Sequence, residues 1–314
     1  MNRDTLMRST SMKSWGLAIA LAAIGAALSF ANPYFLTVPN LINVVRQISI
    51  NGILAVGVTF VLLTGGVDLS LGSLVALTGV VAASAAHPGQ FPVVVPVALG
   101  VLTGAICGVI NGFVVTRGRV APFIVTLGMM TVARGLALVV CGGRPVSNLN
   151  PGFTRLGGDA SGVPIPAIVL AAIALASFLF LKNMRLGRYI YAVGGNENAA
   201  RASGINAGTV KLFAYTVCGA LAGVAGVVLA ARITTGQPNA GVGYELDAIA
   251  AVVIGGTSLS GGVGGVGGTI LGALLMGVIN NGLDLMNVTS YYQSIVKGII
   301  IVGAVWLDRN REKT

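Results

Sequence analysis

The chain has 314 residues, of which 55% are hydrophobic and only 9% are charged, with a net charge of +10 and a mean hydropathy of +0.88. Soluble domains carry about a quarter charged residues, so this composition excludes an ordinary soluble globular protein. Because the basic residues are scattered between apolar runs, the net charge does not indicate a nucleic acid partner. The sequence therefore predicts an all-α polytopic membrane protein, a single domain over 1–314 that is embedded in a lipid bilayer.

Glycine, proline, asparagine and charged residues divide the apolar sequence into ten segments. A helix needs roughly 20 apolar residues to cross a bilayer, and most of the segments approach that length. The predicted helices are, in chain order, 15–36, 47–64, 69–86, 91–115, 120–140, 163–181, 211–231, 248–258, 266–285 and 291–307. Basic residues precede the first segment as in a signal peptide, but this apolar run exceeds the roughly 7–15 residues of a signal core. We interpret it as a retained first span.

The distribution of Lys and Arg predicts that both termini are cytoplasmic. With the N-terminus inside, the predicted cytoplasmic segments and Lys211 at their edge hold 13 of the 19 Lys and Arg residues. Cytoplasmic loops of membrane proteins are enriched in these residues, so an even number of spans fits the charges. The segments in question are a short N-tail 1–14, a long loop 182–210 and a C-tail 308–314 among others.

Glycines at four-residue spacing predict close contacts between helices. Gly100, Gly104, Gly108 and Gly112 fall on nearly one face of the fourth predicted helix, and the pairs Gly219/Gly223 and Gly268/Gly272 repeat the spacing. Small residues let helices approach closely in lipid, where packing has no hydrophobic drive. Packing within one bundle is favoured here over an interface between subunits.

Two similar short segments suggest an internal repeat. "GVING" at 108–112 matches "GVINNG" at 277–282, and these lie in the fourth and ninth predicted spans, which run in opposite directions. An inverted repeat of five plus five helices requires this relation. A second match, between 64–72 and 254–262, is out of register with the first, so the repeat is a hypothesis.

The segment "GGNENAARASGIN" within the loop 182–210 predicts a short capped helix. Asn196 is a favoured N-cap residue, Glu197 lies where the helix dipole favours an anion, and Gly204 is placed to end the helix in the left-handed conformation. Helices shorter than about 12–15 residues are marginal in water, so this helix must pack against something. The sequence leaves open whether it packs on its own chain or in the groove of a partner.

Four segments of the chain resemble one family of membrane proteins. They are "LTGGVDLSLGSLVALTG", "GRYIYAVGGNENAARASGIN", "GYELDAIAAVVIGGTSLSGG" and "SYYQSIVKGI", and the similarity runs from about residue 35 to about residue 308. The chain resembles the permease subunits of ribose-type ABC sugar importers in the bacterial inner membrane. The resemblance implies a second permease copy, a cytoplasmic ABC ATPase and a periplasmic sugar-binding protein as partners. ATP and Mg would then be used by the ATPase, and this chain would bind no cofactor or metal and would not be an enzyme by itself.

The resemblance also assigns a role to the short helix. The family's coupling loop, which seats the permease on the ATPase, matches Gly195, Asn196, Glu197, Ala200, Arg201 and Gly204. The residues themselves agree that ATP chemistry lies elsewhere, because the chain has no G-x-x-x-x-G-K-[ST] phosphate loop and its glycine-rich stretch 255–268 has no Lys.

Several polar residues at membrane depth are candidates for lining a transport pathway. They are Thr64, Asp68, Ser70, Asn111, Thr257, Ser258, Asn280 and Asn281. For Asp68 and Ser70 the competing interpretation is an N-cap in an interfacial turn, and for the asparagines it is hydrogen bonding between helices. Asp284 and Lys297 are expected to form an ion pair, and Arg134 is a lone intramembrane cation.

Two other functions are compatible with the composition. A self-sufficient secondary transporter or channel would need neither an ATPase nor the loop 187–206. A membrane-embedded enzyme would need a nucleophile and base, or a metal cluster, in one cavity, and a single His without paired acids in the spans does not suggest one. The importer permease is therefore the favoured hypothesis.

Overall fold

The computed structural model describes the backbone of residues 3–311 and the side chains of residues 16–303, 305 and 306. Of the predicted tails 1–14 and 308–314, only the backbone of 3–14 and 308–311 is described, and the side chain of Trp15 lies outside the described residues. The described part is helical, with thirteen α-helices, one 3-10 turn and one two-stranded hairpin. The helices are α1 Arg3–Ala31, α2 Val38–Leu63, α3 Leu71–Ser84, α4 Val94–Arg117, α5 Pro122–Val140, α6 Pro151–Thr154, α7 Ile165–Asn183, α8 Arg185–Gly195, α9 Glu197–Ala202, α10 Ala207–Arg232, α11 Tyr244–Ile254, α12 Val266–Leu285 and α13 Ser290–Arg311.

Six of the described helices are long and apolar enough to cross a membrane by length and composition. These six are α2, α4, α5, α7, α10 and α12. The chain is therefore a multi-pass helical membrane protein, while the count of ten spans and the orientation of the termini stay predictions. Ten of the observed helices lie over the ten predicted segments, although their ends differ.

The ends of α2 and α11 differ from the prediction for related reasons. The helix α2 begins at Val38, well before the predicted 47, and includes Arg46, which forms an ion pair with Asp159. Pro39 in its first turn does not interrupt it, because the first N–H groups of a helix have no partner within the helix. The helix α11 runs over Tyr244–Ile254 rather than 248–258 and takes two acidic residues into its first turn, where the helix dipole favours them. Charge alone was a poor marker of these helix ends.

The core lies where α2, α3, α10 and α11 meet. The central part of α2 is almost wholly buried, as are most residues of α3, whereas only 17% of the apolar windows of α5 and α7 are buried. An apolar helix face that the protein does not cover is suited to contact with lipid. The bundle is therefore built around α2 and α10, with α5 and α7 at its periphery.

The predicted glycine contacts occur within the chain. The row on α4 packs against α10, where a Cβ added to Gly108 would lie 3.0 Å from Thr216 Cα and one added to Gly223 would lie 2.8 Å from Gly100 O. Gly268 and Gly272 pack in the same way against Gly255 and Ala251 of the α11 segment. The prediction that the glycines serve packing within one bundle is confirmed for these contacts.

Several small elements were not predicted: the hairpin, the helices α6 and α8, and the 3-10 turn Arg155–Gly157. Residues Asp159–Ala160 (β1) and Val163–Pro164 (β2) form an antiparallel hairpin before α7. The loop 182–210 contains α8 in addition to the predicted short helix. The helical spacing of Leu186, Ile190 and Val193 was a signal for α8, since the last two are buried on one face of it.

Candidate functional site

The short helix α9 forms as the sequence predicts. The Asn196 side chain caps it by accepting a hydrogen bond from Ala199 N at 2.9 Å, and Gly204 follows it with φ +82°. Two backbone hydrogen bonds close its C-terminal end, from Gly204 N to Arg201 O and from Ile205 N to Ala200 O, both at 3.0 Å. The predicted N-cap and left-handed end are confirmed.

Glu197 organises the charges around α9. Its carboxylate accepts hydrogen bonds from Lys211 Nζ at 2.6 Å and from Arg201 Nη2 at 2.7 Å. The Lys211 contact, followed by the Arg201 contact, holds the pKa of Glu197 below its usual range. Because Lys211 lies on α10, the first ion pair fixes α9 to the base of a long membrane helix.

One face of α9 packs on its own chain and the other is free of it. Ala200 is buried in an apolar cluster with Ile190, Val193 and Ala207. The residues on the outer side are exposed, namely Gly195, Asn196, Asn198, Ala199 and Arg201 to Gly204. Both alternatives that the sequence left open are therefore compatible with α9, since its inner face needs no partner and its outer face has none within the described chain.

A polar cleft adjoins α9. It has a volume of about 910 Å³ and lies between α9 and the connection from α4 to α5, with Arg119, Arg201 and Lys211 in its walls. The basic side chains outnumber the one acid, Glu197, that lines it. This surface is suited to an acidic or phosphate-bearing group rather than to an apolar one.

Three of the candidate pathway residues form one buried cluster. Asp68, Ser70 and Asn111 are each fully buried. Asp68 Oδ1 accepts hydrogen bonds from Ser70 N at 2.9 Å and Ser70 Oγ at 2.6 Å, and Asn111 Nδ2 donates to Ser70 Oγ at 3.2 Å. Ser70 is the N-cap residue of α3 but makes no side-chain capping bond. Asp68 Oδ2 and Asn111 Oδ1 have no hydrogen-bond partner among the described residues.

A second cluster contains Asn280 and two residues that were not among the candidates. Asn280 Nδ2 lies 3.5 Å from Asp247 Oδ2, which also accepts a hydrogen bond from Lys297 Nζ at 2.9 Å. The expected ion pair between Lys297 and Asp284 is therefore wrong. Asp284 instead accepts a hydrogen bond from Gln293 at 2.8 Å, because α11 rather than the end of α12 lies beside Lys297. Asp247 Oδ1 and Asn280 Oδ1 are buried without a partner in the described chain.

The remaining candidates lie apart from these clusters. Asn281 exchanges hydrogen bonds with Asn40 of α2 at 2.8 and 3.0 Å, as its packing interpretation expected. Thr64 donates to Val61 O at the end of α2, and Thr257 and Ser258 are buried in the loop between α11 and α12. The eight candidates therefore do not line a single cavity in this structure.

A functional candidate at the start of α11, Asp247, was missed by sequence reasoning. Asp247 and Glu245 lie in its first turn, and Arg134 of α5 donates to the carbonyls of Pro238 and Ala240 just before it, at 2.6 and 2.8 Å. The signal for Asp247 was a carboxylate beside an apolar run, which membrane reasoning treats as functional by default. It was overlooked because the helix was predicted to begin at 248.

The comparisons with known proteins agree on one family. Residues 40–305 match the family model described as "Branched-chain amino acid transport system / permease component". The chain is 48% identical over 302 residues to the ribose import permease protein RbsC of Escherichia coli (strain K12), covering 94% of this chain and 93% of that protein. It is 47% identical over 303 residues to RbsC of Bacillus subtilis (strain 168), covering 96% and 94% of the two chains. It is 40% identical over 294 residues to the D-allose transport system permease protein AlsC of Escherichia coli (strain K12), covering 93% and 89%. No solved structure matches the chain.

Proposed function

The chain belongs to the family of ribose-type ABC importer permeases, and on this premise we propose that it carries ribose or a similar monosaccharide into the cell. The observation that carries this proposal is the 48% identity to a ribose import permease over almost the full length of both chains. Such identity supports a shared substrate class, and the permeases for other monosaccharides are less similar.

The proposed architecture is ten spans in two inverted repeats of five, with both termini cytoplasmic. The packing of the described helices supports it: α2 packs on α11 and α12, while α10 packs on α3 and α4. Asn111 of α4 and Asn280 of α12 occupy matching places in the two "GVIN" segments, and each lies in a cluster with a carboxylate near the start of α3 or α11. An inverted repeat places equivalent groups at opposite ends of the bundle.

The proposed coupling to ATP hydrolysis acts through α9. Its exposed residues, Asn198, Ala199 and Arg201 to Gly204, would seat on a cytoplasmic ATPase, while Ala200 packs on its own chain. The Glu197–Lys211 ion pair would carry the displacement to α10. This assignment is supported by the rigid capping of α9 and by the basic cleft beside it. Closure of two ATPases on two permease copies would then rock the bundle between inward-facing and outward-facing states.

The proposed pathway uses the two buried clusters in turn. Four of their buried acceptors have no hydrogen-bond partner among the described residues, namely Asp68 Oδ2, Asn111 Oδ1, Asp247 Oδ1 and Asn280 Oδ1. An unsatisfied buried acceptor is costly, so these atoms are suited to accept hydrogen bonds from a ligand that enters when the bundle opens. The hydroxyl groups of a sugar can donate such hydrogen bonds. A periplasmic binding protein would deliver the sugar, so the permease itself needs no site of high affinity.

Affinity purification from native bacterial membranes tests the assignment of α9. The test variant Ala202→Arg adds bulk and charge to an exposed position of α9 without changing its caps or its buried face. The control Gln90→Arg makes the same kind of change at an exposed residue between α3 and α4. We expect an ABC ATPase to copurify with the wild type and with the control, and to be lost with Ala202→Arg while the variant stays folded.

Transport in proteoliposomes tests the function itself. Ribose uptake should require ATP, the recovered ATPase and the binding protein together. Uptake of ribose by the permease alone would refute the importer assignment and support a self-sufficient transporter or channel. If no ATPase is recovered with the intact wild type, this result would also favour a self-sufficient transporter or channel.

A further inference from the structure

Three segments of the chain meet at glycines at the end of the bundle that carries α8 and α9. They are the residues that follow α2, the loop between α11 and α12, and the last turn of α8. We call the meeting point of Gly65, Gly194, Gly261 and Gly262 the glycine junction. Its direct hydrogen bond runs from Gly262 N to Leu63 O at 3.0 Å, and Tyr191 Oη of α8 donates to Gly264 O, also at 3.0 Å.

The backbones touch in the glycine junction with no side chain between them. A Cβ added to Gly194 would overlap Leu63 O and lie 2.5 Å from Gly262 N, and one added to Gly261 would lie 2.8 Å from Gly65 N. One added to Gly262 would lie 2.7 Å from Gly195 Cα. Gly65, Gly261 and Gly262 also have φ between +72° and +90°, which favours glycine. Because no rotamer change can absorb a shift at such contacts, a movement of α8 must move the facing backbones.

One side of the glycine junction leads directly to α9. Asn196 is both the C-cap of α8 and the N-cap of α9, so a single residue separates the two helices. Ile190 and Val193 of α8 pack in one apolar cluster with Phe60 and Leu63 at the end of α2. The helix α8 is thus firmly held against α2 and is joined to α9 without slack.

The other side of the glycine junction leads to the buried Asp68 cluster. Gly65 is separated from Asp68 by two residues, and Tyr215 Oη of α10 holds this short connection by donating to Val67 O at 3.2 Å. Asp68 then contacts Ser70, which accepts a hydrogen bond from Asn111. A shift of the connection at Gly65 would therefore change the geometry of the first pathway cluster.

We propose that the glycine junction is the relay that transmits displacement of the coupling helix α9 to the Asp68 cluster, with Gly194 as its positioning residue. This inference rests on the proposed function, since it presumes that an ATPase moves α9. It assigns a role to the loop 255–265, which has no Lys and lies outside the exposed face of α9. The ligand-binding groups and the ATPase-binding surface stay separate, and the glycines connect them.

The test replaces Gly194 by Ala in the full complex of permease, ATPase and binding protein, reconstituted in proteoliposomes. The matched control is Gly267→Ala, at which an added Cβ meets nothing within 4 Å although Gly267 lies close to the same loop. We expect Gly194→Ala to keep its ATPase and hydrolyse ATP, while ribose uptake per ATP hydrolysed falls about tenfold, the scale of typical coupling between sites. The control should match the wild type in all three measurements.

The results that overturn the relay are distinct from those that overturn the proposed function. An unchanged ratio of uptake to hydrolysis in Gly194→Ala, or loss of the ATPase from a folded variant, would show that the junction does not transmit displacement. If Gly194→Ala is not recovered in folded form, the same uptake and hydrolysis measurements on Tyr191→Phe test the relay. This substitution removes the hydrogen bond to Gly264 without adding volume. A drop of about threefold in ribose uptake per ATP hydrolysed would support the relay, because this is the effect expected from the loss of one hydrogen bond. An unchanged ratio would refute it. Failure of the wild type to recover an ATPase would refute the proposed function instead.

Discussion

Replacing Lys297 by Met tests whether an ion pair holds α13 to the bundle. Among the described elements, the most extensive packing of α13 is against α11, and Lys297 Nζ lies 2.9 Å from Asp247 Oδ2 in that contact. The side chain of Asp247 is 3% exposed, and that of Lys297 is 27% exposed. Met keeps the length of the Lys side chain, so the substitution removes the charge with little change in packing.

The expected loss of stability follows from the burial of Asp247. Breaking a buried ion pair by removing one partner costs about 3–5 kcal/mol, because the other charge is left uncompensated. Since Lys297 is partly exposed, we expect the free energy of unfolding to fall by about 2–3 kcal/mol, below that range. In the double variant Asp247→Asn/Lys297→Met no charge is left, and we expect stability within about 1 kcal/mol of the wild type.

The wild type, Asp247→Asn, Lys297→Met and the double variant are compared by equilibrium unfolding in detergent micelles. The four free energies of unfolding give the coupling energy between Asp247 and Lys297. The control Arg144→Met removes a cation from an exposed loop and should change stability by no more than about 0.5 kcal/mol. If the effects of Asp247→Asn and Lys297→Met add within about 0.5 kcal/mol, the two residues are independent. That result would refute the argument that the ion pair holds α13 against α11.

Two further predictions concern α4 and α9. Gly104→Ala should destabilise the fold by about 1–3 kcal/mol, the cost of overpacking, because an added Cβ would lie 3.0 Å from Gly223 Cα and closer still to Gly219 O. Thermal unfolding in detergent checks this, with Gly128→Ala, whose added Cβ meets nothing within 4 Å, as a control that must stay near the wild type. Glu197 has a lowered pKa, so its ion pairs stabilise α9 fully above its ordinary pKa of about 4.3, and this contribution is lost as the pH falls through the lowered value. An NMR titration of its carboxyl carbon should show that Lys211→Met raises this pKa more than Arg201→Met does, and an equal effect would contradict the leading role of Lys211.

Local sequence signals predicted the elements that depend on neighbouring residues. The cap at Asn196, the left-handed Gly204 and the positions of the ten apolar helices all follow from interactions within a few residues or from the apolar run itself. The glycine row of α4 also indicated a close helix contact, but the partner helix α10 was not identified, because spacing on one helix says nothing about which helix faces it.

The candidate site was harder to predict, because the hydrogen-bond and ion-pair partners of polar residues at membrane depth lie far away in the sequence. Asp284 and Lys297 are near in sequence, and Asp247 lies 50 residues before Lys297, yet Lys297 pairs with Asp247. Similarly, Ser70 meets Asn111, and Asn281 meets Asn40. No local pattern distinguishes these pairs from the alternatives.

The sequence by itself determined that the chain is a helical membrane protein, the approximate positions of its ten apolar helices and that a capped helix precedes Lys211, since composition, apolar length and capping are local properties. Only the tertiary structure decided which backbones meet at Gly194 and Gly262, which buried acceptors lack partners among the described residues, and which cation compensates Asp247. Those properties depend on contacts between segments far apart in the chain, and in a bundle with so few charges each such contact has a large effect, because little water is present to replace a missing partner.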